Sequence, residues 1–155
     1  MKYTFWTDGS ANPNPGPGGF AVIEVRGEEA KPVILGSEKK SSNIRMEGMA
    51  ILAAIRRAGG NPCEIYTDSE FWFNVATKWM ETWAKNEWRR GVKFDEKGKK
   101  VNNGKEIANV ELVQELYEIY DPETVELRWT RGHVGTKYNE MADEWANRAR
   151  AGEKL

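Results

Sequence analysis

Two aspartates stand where an α/β protein could use them. Asp8 follows the alternating run Lys2–Thr7, and Asp68 follows the short run Glu64–Thr67. In such sheets ligands collect at the carboxyl ends of strands, so two neighbouring strands would set these carboxylates face to face. Glu47 lies in the first turn or so of a helical segment, where the helix dipole favours an acid, and Asp143 lies within the last helical segment. Acids packed closely raise one another's pKa and cannot all stay ionised without cations. Oxygen-only ligands select a hard ion such as Mg²⁺ or Mn²⁺. Taken singly, each acid reads equally well as a cap or turn residue. The one histidine, His133, sits between Gly132 and Gly135. With an ordinary pKa near ~6.5 it can exchange protons near neutrality.

The elements that must position these groups follow from periodicity. Lys2–Thr7 alternates, with Tyr3 and Phe5 on one face, and predicts a strand closed by Asp8-Gly9-Ser10. The Asn-, Pro- and Gly-rich stretch Ala11–Gly19 predicts a turn region. Phe20–Val25 and Val33–Ser37 predict strands joined by a hairpin connection over Arg26–Lys31. Arg45–Ala58 carries a broad apolar stripe and predicts a helix, capped by Ser42 or Asn43 and stopped by Gly59-Gly60. A short strand Glu64–Thr67, a helix Ser69–Trp83, a polar loop Arg89–Ala108, a helix Val110–Tyr120, a strand Val125–Thr130 and a helix Tyr138–Ala151 complete the order. Three strands, helix, strand, helices, strand, helix describe an α/β sheet that begins with a hairpin.

The chain has 155 residues, 39% of them apolar and 30% charged, which suits one domain, 1–155, with its own core. Its single cysteine, Cys63, excludes an intramolecular disulfide, and the start MKYTFWTDGS lacks an apolar signal block. No apolar run approaches the roughly 20 residues of a membrane span. A cytoplasmic monomer is the expectation. The net charge of −1 conceals an asymmetry. From Lys78 to Lys105 nine cations, Arg89, Arg90 and Lys93 among them, face four anions, an excess of five that leaves the remainder near −6. A basic segment on an acidic body fits a phosphate grip beside a carboxylate site, although it also fits a solvated surface element.

The contexts of the acids are more specific than the acids. Asp8 opens Asp8-Gly9-Ser10 and is followed by Asn12-Pro13-Asn14-Pro15-Gly16-Pro17-Gly18-Gly19. Glu47 closes Asn43-Ile44-Arg45-Met46-Glu47, and Asp68 lies in Thr67-Asp68-Ser69. Asp143 follows Gly132-His133-Val134-Gly135 in Asn139-Glu140-Met141-Ala142-Asp143. With these five blocks in order, from Lys2 to Ala151, the chain resembles the type 1 ribonuclease H family.

That resemblance implies a ribonuclease H-like fold, a five-stranded mixed sheet in the order 3-2-1-4-5 with strand 2 antiparallel and helices on both faces. It implies an endonuclease that hydrolyses the RNA strand of RNA–DNA hybrids with two Mg²⁺ ions, for which Mn²⁺ would substitute. Asp8, Glu47, Asp68 and Asp143 would be the catalytic metal ligands, and the products would carry 5′-phosphate and 3′-hydroxyl ends. His133 would assist proton transfer or product departure. Asn14 and Asn43 match positions that contact the substrate in the minor groove, where the 2′-hydroxyl marks RNA. Trp79 would line the channel for the DNA strand within a basic protrusion at about 78–105, with Arg89 and Arg90, and Ser42 and Thr82 would hold a DNA phosphate. Two positions depart from the common pattern: Ile44 replaces a second Asn, and Glu70 replaces a Gln. Asn74, one helical turn after Glu70, is a candidate to recover part of that contact. Two other readings stay open at this level, a junction resolvase or DNA exonuclease of the wider superfamily and a hybrid-binding module without cleavage.

Overall fold

The computed structural model describes residues 2–131 and 136–155. Its elements are β1 (Tyr3–Ala11), β2 (Gly16–Arg26), β3 (Glu29–Ser41), α1 (Asn43–Ala58), β4 (Cys63–Thr67), α2 (Glu70–Asn74) and a π-helical turn at Val75–Trp79. They continue with α3 (Met80–Lys85), β5 (Arg89–Phe94), β6 (Lys100–Glu106), α4 (Val110–Ile119), β7 (Val125–Trp129) and α5 (Lys137–Arg150). The main sheet runs β3-β2-β1-β4-β7. β2 is antiparallel to both β1 and β3, whereas β1, β4 and β7 run parallel. This is the expected mixed sheet of five strands. Among the described residues no helix is long and apolar enough to cross a membrane.

Strand alternation gives the sheet two apolar faces. Phe5 and Val22 pack with Ile51, Leu52 and Trp72 in the large core that α1 covers. Their neighbours Trp6 and Ile23 point the other way and pack with Ala142 of α5. Gly19 lets α5 approach closely, since a Cβ there would lie 2.2 Å from the Arg150 nitrogen.

Two expectations change in a way that matters for the site. Gly9 and Ser10 do not end β1: the strand runs on to Ala11 by pairing with β2, so Asp8 lies inside it. The parallel β1–β4 ladder is the one that stops, at Trp6 opposite Tyr66. Asp8 and Asp68 each stand two residues beyond that last pair, where the strands diverge. The second change is Arg89–Ala108, expected as loop, which holds the antiparallel hairpin β5–β6. Its turn is built by Asp95, whose Oδ1 accepts hydrogen bonds from the Lys97 and Lys99 amides at 2.9 and 2.8 Å. Lysines on both faces hide the alternation that normally announces a strand.

Candidate metal centre

Three elements deliver three carboxylates to one point. Asp8 comes from β1 past its ladder with β4. Asp68 immediately precedes Ser69, the N-cap of α2, whose Oγ accepts from the Trp72 amide at 3.1 Å. Its backbone is steadied by the Trp129 indole, which donates to the Asp68 carbonyl at 3.3 Å. Glu47 comes from α1, brought down onto β1 because Gly9 has no side chain; a Cβ there would lie 2.3 Å from the Glu47 nitrogen. Glu47 is the fifth residue of α1, beyond its first turn, so the helix dipole contributes little to it.

Each of these residues offers an oxygen, and the three oxygens lie within 4.8 Å of one another. Burial and crowding oppose the ionisation of Asp8 and Glu47. Asp8 is 4% exposed, and its carboxyl is pushed up to about 9 by burial first and then by the Asp68 charge, with smaller contributions from Asp143 and Glu47. The Gly9 amide donates to Asp8 Oδ1 at 2.9 Å and works in the opposite direction. Glu47 is pushed up to about 8, again by burial and then by Asp68, against a hydrogen bond from the Ser69 hydroxyl. Asp8 Oδ2 is buried and accepts no hydrogen bond among the described residues. A buried acceptor without a donor, in an all-oxygen group held against its own charge, is the environment a hard divalent cation fits. Asp143, on α5, lies outside the 4.8 Å group, although its charge raises Asp8. His133 lies outside the described residues.

The predicted substrate contacts fall into three sets. Asn14 and Asn43 form a clasp: Asn43 Oδ1 accepts from the Ala11 amide at 2.6 Å, and Asn14 Oδ1 accepts from the Asn43 amide at 3.1 Å. Both oxygens are therefore engaged inside the protein, and the amide NH₂ groups are the donors left to a ligand. Ser42 caps α1 by accepting from the Arg45 amide at 3.1 Å. Arg45 in turn pairs with Glu38 of β3 at 2.8 Å and Glu111 of α4 at 2.5 Å, which fixes the start of the helix.

The second set is aromatic. Trp79 is exposed, its ring 5.7 Å from Trp83 and 6.1 Å from Phe71. With Ile44, Arg90, Ile107 and Asn109 these rings line a cleft of about 470 Å³. Asn74 is half-buried at the end of α2, whereas Thr82 and Glu70 are exposed. The third set is the hairpin. Arg89 donates to the Asn103 and Gly104 carbonyls at 2.8 and 3.0 Å and ties the two strands together, while Arg90 stays exposed at the cleft. Sequence reasoning missed Gly9, Phe71, Trp72, Ile107 and Trp129. Of these only Gly9, beside Asp8, carried a local signal.

The RNase H family model matches residues 1–151. Ribonuclease H of Bordetella pertussis (strain Tohama I) is 39% identical over 149 residues, covering 95% of this chain and 88% of that protein. Ribonuclease H of Gluconobacter oxydans (strain 621H) is 36% identical over 152 residues, covering 96% and 92%. The crystal structure of LC9-RNase H1, a type 1 RNase H with the type 2 active-site motif, superposes with a TM-score of 0.73 at 26% identity, covering 99% of this chain and 74% of that one. The RNase H domain of prototype foamy virus shares the fold, with a TM-score of 0.70 at 19% identity, covering 98% and 97%.

Proposed function

The chain belongs to the RNase H family, whose members cut the RNA of RNA–DNA hybrids, and from that membership we propose that it works through divalent cations held by Asp8, Glu47 and Asp68, with Asp143 beside them. The observation that carries this reading is the trio of carboxylate oxygens within 4.8 Å, one of them on the buried Asp8 and two on half-buried residues. Asp8, Glu47 and Asp68, with Asp143, would hold two Mg²⁺ ions, which would supply Lewis-acid charge at the scissile phosphate and acidify the attacking water. The protein's residues do the rest. The Gly9 amide orients Asp8, and the Ser69 hydroxyl orients Glu47. The amide NH₂ groups of Asn14 and Asn43 donate to the minor-groove edge of the RNA strand, where the 2′-hydroxyl distinguishes it from DNA. The cleft of Phe71, Trp79 and Trp83 packs against deoxyribose. His133 moves a proton near neutrality, and the products carry 5′-phosphate and 3′-hydroxyl ends.

A panel of RNA–DNA, RNA–RNA, DNA–DNA and single-stranded substrates, each with and without Mg²⁺, tests this function. Cleavage confined to the RNA of the hybrid and dependent on the ion is the expected result. Cutting of duplex DNA, or cutting that persists in chelator, would contradict it.

The hairpin β5–β6 belongs to the basic protrusion that grips phosphates. Arg90 and Lys105 are cross-strand partners beside the aromatic cleft. Replacing both with Gln is expected to flatten the log–log salt dependence of hybrid binding by roughly 0.7–0.9 for each lost contact. An unchanged slope would remove the hairpin from substrate binding.

A further inference from the structure

Trp72 is 1% exposed and bridges the two helices that carry Glu47 and follow Asp68. Its backbone amide donates to Ser69 Oγ at 3.1 Å, and the same hydroxyl bonds to Glu47. Its indole Nε1 donates to the Ile44 carbonyl at 2.7 Å, in the first turn of α1. The six-membered ring lies on Gly48, the residue next to Glu47. A Cβ at Gly48 would stand 2.4 Å from Trp72 Cζ2 and 2.6 Å from Cε2, so no larger residue fits while the ring stays in place. Gly48 is a poor helix former in the middle of a sixteen-residue helix, and its packing against the indole accounts for its presence.

We propose that Trp72, seated on Gly48, is the positioning residue that sets the separation of Glu47 and Asp68, and so the affinity of the acidic trio for divalent cations. The inference rests on the metal-site reading above. The indole is a rigid spacer: one edge fixes the α1 turn bearing Glu47, and its own helix begins directly after Asp68. Supports of this kind, which orient the ligands without touching the ion, typically change metal affinity by about 10–100-fold when removed.

The test is Mn²⁺ binding to the folded protein by calorimetry, run on wild type, Trp72→Leu, Gly48→Ala and the double variant. Trp72→Leu is expected to weaken Mn²⁺ binding about tenfold, with the Mg²⁺ requirement for cleavage rising in parallel and the KM for hybrid at saturating Mg²⁺ unchanged. Gly48→Ala is expected to weaken binding as well, although alanine is the better helix residue. In the Trp72→Leu background the same alanine should do no further harm, because the ring it would strike is gone. A purely structural role would lower Tm and leave the affinity of the folded protein alone. That outcome overturns the inference. If Trp72→Leu does not fold, Trp72→Phe and Gly48→Ala decide, and wild-type affinity in both overturns it equally. A wild type that binds no Mn²⁺ would instead bring down the metal-site reading itself.

Discussion

Asp8→Asn is expected to reduce cleavage of RNA–DNA hybrids by on the order of a thousandfold or more while leaving the fold intact. Asparagine matches aspartate in size, and its carbonyl can keep the bond from the Gly9 amide. What it loses is a negative charge, at a point where the buried Oδ2 accepts no hydrogen bond from the described residues. Asp68→Asn should behave alike, because Asp68 is the neighbour whose charge acts most strongly on both Asp8 and Glu47. Hybrid cleavage in Mg²⁺, measured beside a thermal melt of each variant, checks this. Wild-type turnover in either variant would take the carboxylates out of the mechanism.

Stability of the metal-free protein should fall as pH rises through the neutral range, and Mg²⁺ should restore it. Asp8 is held up to about 9 and Glu47 to about 8, against ordinary values of 3.8 and 4.5. The folded state therefore binds these protons more tightly than the unfolded chain. Their contribution is fully present below about pH 4 and is lost as pH climbs towards 9. A cation replaces the protons, so its stabilising effect should grow along the same interval. At a concentration of about 100 times its Kd a ligand adds ~2.7 kcal/mol. For a chain of this length that is roughly 5–10 °C in Tm, at ~2–4 °C per kcal/mol. Melts from pH 5 to 9 in chelator and in Mg²⁺ read this directly, and Asp8→Asn should flatten the metal-free curve. A Mg²⁺ shift that stays constant over that range would contradict the raised carboxyls.

The three acids that the fold brings together were legible from their local contexts. Asp8 before Gly9, Asp68 before the capping Ser69 and Glu47 on the helix capped by Ser42 each left a short pattern of fixed type. The sheet order followed from the resemblance those patterns carry, and the lengths of the apolar runs placed most strands within a few residues. Three things stayed hidden. Asp8 lies within β1, because whether a strand continues past its glycine depends on β2, a partner that local sequence does not display. The β5–β6 hairpin is held by Asp95 and by Arg89 bonding to carbonyls, and it buries too little to show alternation. The seating of Trp72 on Gly48 joins residues 24 apart in the chain, and only packing reveals it.

Anomalous scattering from crystals grown with Mn²⁺ probes the acidic trio most directly. Manganese bound by the oxygens of Asp8, Glu47 and Asp68, and absent from those positions in Asp8→Asn, is the predicted result. Manganese found elsewhere while these three carboxylates stay empty, in crystals whose protein still cuts hybrids in solution, would contradict it.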